Sequence, residues 1–384
     1  VLGTGAIHLN AASDINLKVN DGGNSSAATS ITAAGDLQFS AGGSIAKTDA
    51  NALALVTGSG QASMSAAGNI DAGNVITATN NLSVSFSTTG VSTVGSATAT
   101  AGNLSLTATT GSLVATGTLT AGQGIALSAV TGISTKAMTA SNGSMTVTST
   151  GAAGDIVLDG SLQATNAALA AGDPAIAVTS GRDILLGTAT GSTTSITSSG
   201  TGAIRLDAAR DLNLKVNDNG NASSASSLSA AGNLELHAGG AIFKLDGNAL
   251  TLAANAGQLT LDAGGAVTAT GMSATAATDI LAHAGTFSAG TWSAGRDILI
   301  ETSGTMSPGP LTAGTAGSGT IHLTTTGAGD IALTDSLQTT HGGLASTVAA
   351  ILLESGGDIL VGTATSSAVN LTSLGSGAIV LDAT

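Results

Sequence analysis

The sequence predicts an all-β protein of 384 residues, a right-handed parallel β-helix with coils of about 20–22 residues. Three observations lead to this prediction: an internal repeat, a period of two in the apolar positions, and a near absence of aromatic residues. There is one Trp, no Tyr and four Phe, whereas hydrophobic residues make up 42% of the chain. A narrow solenoid interior needs few large rings, because each coil stacks Ile, Leu, Val and Ala on the coil below.

A long segment occurs twice, with a shift of 197 residues. Residues 4–55 return as residues 201–252 without a gap, and 33 of the 52 positions are identical. Ile7 and Leu9 stay apolar in the second copy, whereas His8 between them becomes arginine. Apolar residues at every second position, with exchangeable polar residues between them, indicate β-strands with one buried and one exposed face.

A second repetition indicates the size of the coil. Residues 154–163 return as 329–338, and residues 181–190 return as 356–365, both with a shift of 175. The two shifts differ by 22 residues, and a solenoid can gain or lose material only in whole coils. Apolar strand centres recur at about the same interval, from Ile15 to Leu37, Leu82 to Leu104, Leu104 to Ile125, Ile125 to Met145, Ile156 to Ile176 and Ile184 to Ile204.

Strands are predicted along the whole chain. In the first copy their centres are predicted at Ile7, Ile15, Leu37, Leu53, Ile70, Leu82, Leu104, Ile125, Met145 and Ile156. Residues 55–150 repeat least and are expected to contain the coil that the second copy lacks. Pro308 and Pro310 have no amide donor, so they are predicted in a corner or loop. Positive φ angles in tight corners are expected at Gly35, Gly68, Gly124, Gly154, Gly202 and Gly232.

One continuous domain is predicted, because no Pro-rich linker or charge run divides the chain. The duplication defines a first block, residues 1–197, a second block, residues 198–372, and the start of a third, residues 373–384. Residues 4–7 and 376–379, TGAI and SGAI, have the same phase in the repeat. We therefore expect a window of a longer array, with its terminal caps, secretion signal and any functional head outside it.

Composition argues against several classes of partner. The net charge is −14 with nine Lys and Arg residues, which disfavours nucleic acid and anionic membrane surfaces. No apolar run reaches the roughly 18 residues of a spanning helix, so no membrane insertion is expected. Cysteine is absent, which excludes disulfides and thiolate metal sites.

Paired carboxylates could support glycoside cleavage on a β-helix. The candidates mostly follow Gly, Ser or Arg and precede Ile or Leu; they are Asp14, Asp36, Asp155, Asp183, Asp330 and Asp358. Recurrence at one position of the coil favours turn residues that cap local backbone amides. The scarcity of aromatic rings, which would stack on sugars, points the same way. No catalytic residue is predicted, and the chain is expected not to be an enzyme.

No metal or cofactor site is predicted. The loops at residues 20–24 and 217–221 lack the glutamate of an EF-hand and the nonapeptide period of calcium β-rolls, so they are expected to be Asx turns. Thr-x-Thr strings at residues 98–100 and 188–190 drift in phase, which disfavours an ice-binding face. Single histidines without an i, i+4 partner do not indicate a metal site; they are His8, His237, His283, His322 and His341.

The patterns AGDLxFxAGGxI, AGNLxLxAGGxI and SGGDIxVG resemble the repeat regions of filamentous haemagglutinin-type exoproteins, which Gram-negative bacteria secrete by the two-partner pathway. The resemblance covers essentially the whole chain, although the family's secretion domain and its Asn-Pro signatures are missing. It implies a right-handed β-helix that is secreted to the bacterial cell surface. The implied role is the structural shaft of a filamentous adhesin, in attachment or biofilm formation.

The implied partners are neighbouring coils of the same longer chain, like molecules in a fibre, and a host or cell-surface receptor or glycan outside the window. Two other functions stay open. One is a self-assembling extracellular fibre or sheath protein. The other is a β-helix polysaccharide-processing enzyme, which would need an open groove with clustered acids and aromatic rings.

Overall fold

The computed structural model describes residues 5–18, 29–47, 53–71, 75–87, 90–188, 193–214, 226–245, 247–362 and 368–384. Strands, turns and bends make up these ranges. They contain no helix, and hence none that is long and apolar enough to cross a membrane. The loops predicted as Asx turns at residues 20–24 and 217–221 lie outside the described residues.

Short strands follow one another along the chain, and all ten predicted strand centres of the first copy fall within them. The first are β1 (Ile7–Ala11), β2 (Ile15–Lys18), β3 (Thr29–Ala33), β4 (Leu37–Ala41), β5 (Ile45–Lys47), β6 (Leu53–Thr57), β7 (Ala62–Ala66), β8 (Ile70–Asp71), β9 (Val75–Ala78), β10 (Leu82–Phe86) and β11 (Val91–Val94). Next come β12 (Ser96–Ala99), β13 (Leu104–Ala108), β14 (Ser112–Ala115), β15 (Leu119–Ala121), β16 (Ile125–Ala129), β17 (Gly132–Thr135), β18 (Met138–Ala140), β19 (Met145–Ser149), β20 (Asp155–Leu158), β21 (Leu162–Asn166) and β22 (Pro174–Ser180).

The second half continues in the same manner. Its strands begin with β23 (Ile184–Leu186), β24 (Ser195–Gly200), β25 (Ala203–Ala208), β26 (Leu212–Asn213), β27 (Ser226–Ala230), β28 (Leu234–Ala238), β29 (Ile242–Phe243), β30 (Leu250–Ala254), β31 (Leu259–Ala263), β32 (Ala266–Ala276) and β33 (Ile280–Ala284). They end with β34 (Thr286–Ala294), β35 (Ile298–Thr302), β36 (Met306–Ser307), β37 (Leu311–Ala313), β38 (Ile321–Thr325), β39 (Ile331–Leu333), β40 (Leu337–His341), β41 (Ala349–Ser355), β42 (Ile359–Val361), β43 (Leu371–Gly375) and β44 (Ala378–Ala383).

The chain forms two compact units. The first consists of Val1–Ala167 and Ala175–Ile184, and the second of Ala168–Pro174 and Leu185–Thr384. The predicted blocks describe duplication of the sequence rather than packing, and their bounds stay a prediction.

Each unit contains a principal sheet whose strands pair in parallel and in chain order. In the first unit it consists of β1, β4, β7, β10, β13, β16, β19 and β22. In the second unit it consists of β25, β28, β31, β33, β35, β38, β41 and β44. The intervening strands pair with their counterparts in neighbouring coils, also in parallel. Each coil therefore stacks on the preceding one, which confirms the predicted parallel β-helix.

The predicted coil length applies in the middle of the first unit. Leu82, Leu104, Ile125 and Met145 lie opposite one another on successive strands, at intervals of 22, 21 and 20 residues. Such alignment stacks like side chains directly above each other, so the apolar positions form continuous columns.

Other coils are longer. Leu37 lies opposite Ile7, 30 residues earlier. Moreover, three of the intervals used to predict the coil join strands of different sheets, namely those that begin at Ile15, Ile156 and Ile184. Each coil contains two or three apolar strands, so an interval between strands of different sheets can be close to the coil length. These three intervals therefore agree with the coil length without measuring it.

Inward side chains form the core of each unit. Leu37 and Ile204, predicted to point inward, are both 0% exposed. The single tryptophan, Trp292, is also fully buried and contacts Phe287 edge to face, with ring centroids 4.9 Å apart. It lies opposite Ala274 on the neighbouring coil, whose small side chain leaves space for the indole.

Pro308 and Pro310 lie between β36 and β37, outside the strands, as predicted. The expectation of positive φ is wrong for all six glycines named for it. Gly68 shows why a side chain is nevertheless excluded, since a Cβ there would lie 2.5 Å from Oγ of Ser44 in the preceding coil. Described glycines with positive φ are Gly132, Gly187, Gly200, Gly271, Gly314, Gly317, Gly362 and Gly375.

Candidate functional site

The corner before a principal-sheet strand often holds an Asp or Asn that binds the next coil. Oδ1 of Asp36 accepts a hydrogen bond of 2.9 Å from the amide N of Gln61. Oδ1 of Asn81 accepts one of 2.8 Å from N of Asn103, whose own Oδ1 accepts one of 2.9 Å from N of Gly124. Asp36 was predicted to cap a local amide, but the amide that it caps belongs to the following coil; Asn81 and Asn103, which were not predicted as caps, act in the same way.

The structure brings two pairs of the candidate acids together. The amide of Asp183 donates to Oδ1 of Asp155 at 3.3 Å, and the amide of Asp358 donates to Oδ1 of Asp330 at 2.8 Å. Asp14, like Asp36, caps an amide of the next coil, at 2.6 Å. Five of the six candidates thus lie just before a strand and Asp155 begins β20, and the carboxylates that cap accept hydrogen bonds from backbone amides.

Arginine binds the first of these pairs. Nε of Arg182 donates to Oδ1 of Asp155 at 2.6 Å, and it lies 3.7 Å from Oδ2 of Asp183. Arg296 repeats the arrangement, with Nε donating to Oδ1 of Asp279 at 2.8 Å. This hydrogen bond lowers the pKa of the Asp279 carboxyl. A carboxyl held ionised does not supply the proton that glycoside cleavage requires from one of its two acids.

Six glycines of the described residues precede a capped amide and would place a Cβ against Oδ1 of the Asp or Asn cap; they are Gly43, Gly60, Gly102, Gly240, Gly257 and Gly357. A Cβ at Gly60 would overlap Oδ1 of Asp36, and a Cβ at Gly102 would overlap Oδ1 of Asn81. The cap oxygen occupies the space of a side chain in the next coil. At Gly102 and Gly357 this glycine is followed directly by Asn103 and Asp358, so a Gly-Asn or Gly-Asp pair stands at the contact.

Outward side chains of the principal sheet form two rows along each unit. After the first coil, the rows of the first unit contain no ionisable residue. They consist of Gln38, Ser63, Ser83, Ser105, Ala126, Thr146 and Ala177, and of Ser40, Ser65, Ser85, Thr107, Ser128, Thr148 and Thr179. Thr-x-Thr occurs in them once, at Thr146 and Thr148.

The same two rows of the second unit contain charged and apolar residues. The leucine row consists of Arg205, Glu235, Thr260, Leu281, Leu299, His322, Leu352 and Val380. The acidic row consists of Asp207, His237, Asp262, His283, Glu301, Thr324, Glu354 and Asp382.

Histidines that stand singly in the sequence lie beside carboxylates in these rows. Asp262 lies between two of them: its Oδ1 is 3.2 Å from Nδ1 of His283, and its Oδ2 is 3.7 Å from Nδ1 of His237. Nε2 of His322 lies 3.0 Å from Oε2 of Glu354. Within the described ranges, no three His, Cys, Asp or Glu side chains are placed to hold a metal ion.

The sequence prediction missed these pairs because neighbouring coils differ in length. His237, Asp262 and His283 each occupy the fourth position of a five-residue strand, at intervals of 25 and 21 residues. The shared pattern of apolar residues around them was the available signal. The other two histidines lie apart: His8 is exposed on β1, and Nε2 of His341 is 3.2 Å from Oγ of Ser318.

A shallow depression of about 320 Å³ lies between the leucine row and the acidic row. Its lining consists of Thr260, Leu261, Asp262, Leu281, Ala282, His283, Leu299 and Glu301. Leu299 is 39% exposed, and the side chains of Asp262 and His283 are 54% and 64% exposed. The depression therefore combines apolar surface with accessible carboxylates, and no Lys or Arg belongs to its lining.

No protein-family model matches the chain, and no curated protein or solved structure shows significant similarity to it.

Proposed function

We propose that the chain is the structural shaft of a long secreted or cell-surface filamentous adhesin, which projects a binding region and mediates attachment or biofilm formation. One observation carries the proposal. The recurring acids of the sequence, such as Asp36 and Asp330, hold one coil to the next by accepting its amide hydrogen bond. Side chains used in this way build a stack, which is the requirement of a shaft.

The two exposed rows support the same role. Their residues differ from coil to coil and between the units, whereas most inward positions are aliphatic. Stacking of the coils therefore does not require particular residues at these outward positions. The AGDLxF and AGNLxL patterns resemble those of filamentous haemagglutinin-type exoproteins. On this resemblance we include in the proposal that the chain is secreted to the bacterial surface and that a receptor or glycan is bound outside it.

A polysaccharide-processing enzyme is less well supported. Sugar-binding sites commonly use exposed aromatic rings, but Phe39, Phe86, Phe287 and Trp292 are buried and Phe243 is half-buried. The acid pair Asp155 and Asp183 is bound by Arg182, whose Nε donates to Oδ1 of Asp155 and lies 3.7 Å from Oδ2 of Asp183, so both side chains already serve a contact between coils.

A self-assembling extracellular fibre or sheath is the second candidate, and the uncharged rows of the first unit favour it. Chains with a net charge of −14 repel one another. A face of Ser, Thr and Ala between Gln38 and Thr179 lets two copies approach without placing like charges together.

Electron microscopy of the intact parent protein at the cell surface tests the proposal. Single rods that end in a distinct tip are expected of an adhesin shaft. Continuous or laterally bundled fibres would overturn it in favour of the fibre. Isolated short particles that cleave a polysaccharide would overturn both.

A further inference from the structure

We propose that the second unit binds an extended cationic polypeptide segment in the depression between the leucine row and the acidic row. The segment places an aliphatic side chain on Leu281 and Leu299, and a lysine or arginine two residues further along on Asp262 and Glu301. This inference goes beyond the proposed shaft function and does not depend on it, because a shaft requires no ligand on its side.

The apolar half of the site comes from two successive coils. Leu281 and Leu299 lie opposite each other on β33 and β35, so their side chains are about 4.8 Å apart along the stack. At the same row of the first unit, Ser83 and Ser105 occupy neighbouring coils. The β-helix thus accepts serine at such a position, and neither the half-buried Leu281 nor the exposed Leu299 is required for stacking.

The charge of the rows selects the partner. Arg205 is the only Lys or Arg in them, and it is engaged by Asp207, at 2.7 Å, and by Glu235, at 3.9 Å. Asp262 and Glu301 lie on either side of His283 in the acidic row and face no lysine or arginine of these rows. A cationic partner complements this surface, whereas a second copy of the acidic chain would place like charges together.

The spacing of the rows selects an extended segment. Residues two apart on a strand lie about 6.7 Å from each other on the same face. The leucine row and the acidic row are two residues apart on every principal strand, as with Leu281 and His283 on β33. A segment parallel to these strands therefore matches both rows with the pattern Leu-x-Lys.

Nuclear magnetic resonance of the full chain provides the test, with the methyl groups of Leu281 and Leu299 as the signals. The probes are the peptides GSLSKSG, GSSSKSG and GSLSESG. We expect saturable shifts with GSLSKSG, a dissociation constant higher by about fivefold or more with GSSSKSG, and no saturation with GSLSESG. Equal binding of the first two peptides, or no shift with any peptide, would overturn the proposal.

Matched variants separate the two halves of the site. Leu281→Ser with Leu299→Ser is expected to lower the affinity for GSLSKSG to that for GSSSKSG, with the backbone amide signals of β33 and β35 as the readout. Asp262→Asn with Glu301→Gln is expected to weaken the binding of both lysine peptides, GSLSKSG and GSSSKSG. The controls Leu245→Ser and Asp36→Asn, which change an exposed leucine and a carboxylate elsewhere, should leave affinity unchanged. Equal effects in variants and controls would contradict the site, and emission of buried Trp292 verifies folding.

Discussion

Oδ1 of Asn233 accepts a hydrogen bond of 3.1 Å from the amide N of Gln258, which lies 25 residues further along the chain and one coil away. The residue before that amide is Gly257, where a Cβ would overlap the same Oδ1 atom. The cap and the glycine are therefore two parts of one contact. An uncapped amide at this part-buried corner would lose its hydrogen bond to the protein.

Gly257→Ala is expected to destabilise the second unit by about 1–3 kcal/mol, because the new methyl group displaces the cap oxygen and meets backbone. Urea unfolding followed by the fluorescence of Trp292 measures the change. The control is Gly247→Ala, where a Cβ meets nothing within 4 Å. A loss of stability as large in the control would contradict the explanation.

Asn233→Ala is expected to cost about 0.5–2 kcal/mol, the range found for other lost caps of backbone amides. Asn233→Asp should cost less, because Asp36 occupies the equivalent corner of the first unit and caps an amide in the same way. The same urea titration compares them. If alanine were as stable as aspartate, the hydrogen bond to Gln258 would not contribute to stability.

Leu37→Asp is expected to destabilise the first unit by several kcal/mol, because it buries an unpaired charge in a fully covered position. Ser83→Asp changes an outward residue of the same sheet and should stay within about 0.5 kcal/mol. Thermal unfolding by circular dichroism compares the two variants. Similar losses would mean that the two faces do not differ in burial.

Removal of one whole coil should be tolerated, because each coil contacts only its neighbours. Deletion of residues 82–103 places Asn81 directly before Leu104, and this junction recreates the Asn103–Leu104 corner. Deletion of residues 82–92 is the control, since it removes half a coil and breaks the register. The whole-coil variant should retain the circular dichroism spectrum of strands, and the half-coil variant should lose it; the reverse result would contradict the stacking.

Acid stability should depend on Arg296. Its hydrogen bond lowers the pKa of the Asp279 carboxyl in the folded protein. When the pH is above the pKa of this carboxyl in the unfolded chain, about 3.9, the lowered pKa of the folded protein adds to stability. This contribution is lost as the pH falls through the pKa of the folded protein. Arg296→Gln should therefore reduce stability at pH 6 more than at pH 2, in urea titrations at both values. An Asp279→Asn background removes the hydrogen-bonded carboxyl and leaves only Asp297, 3.9 Å from Nε of Arg296, so there the effect of Arg296→Gln should vary less with pH.

The fold followed from local patterns, whereas the corner contacts and exposed rows did not. Alternation around Leu37 and Ile204 is a property of each strand, so it predicted these strands and their buried face. The partner of Asp36 depends on which residue of the next coil lies above it, and coils of unequal length hide that relation in the sequence. The pairing of His283 with Asp262 was missed for the same reason.

The glycine expectation failed for a related physical reason. Gly68 was assigned to a turn conformation, which is a property of one residue, but its small size serves the neighbouring coil, where Oγ of Ser44 lies in the space of a Cβ. Sequence reasoning within one coil cannot detect such a contact. The repeat at intervals of a whole coil contains that information.

The match between each corner residue and the glycine one coil later has a consequence for the evolution of the chain. Recombination that inserts or removes a complete coil between two such corners transfers a cap together with a receiving glycine, so the new junction keeps the contact. Substitution of a single corner residue, in contrast, requires a compensating substitution of the residue that contacts it, 20–30 positions away. Such a lineage changes more readily in length than in the composition of its corners, as the two internal repeats with shifts that differ by 22 residues already indicate.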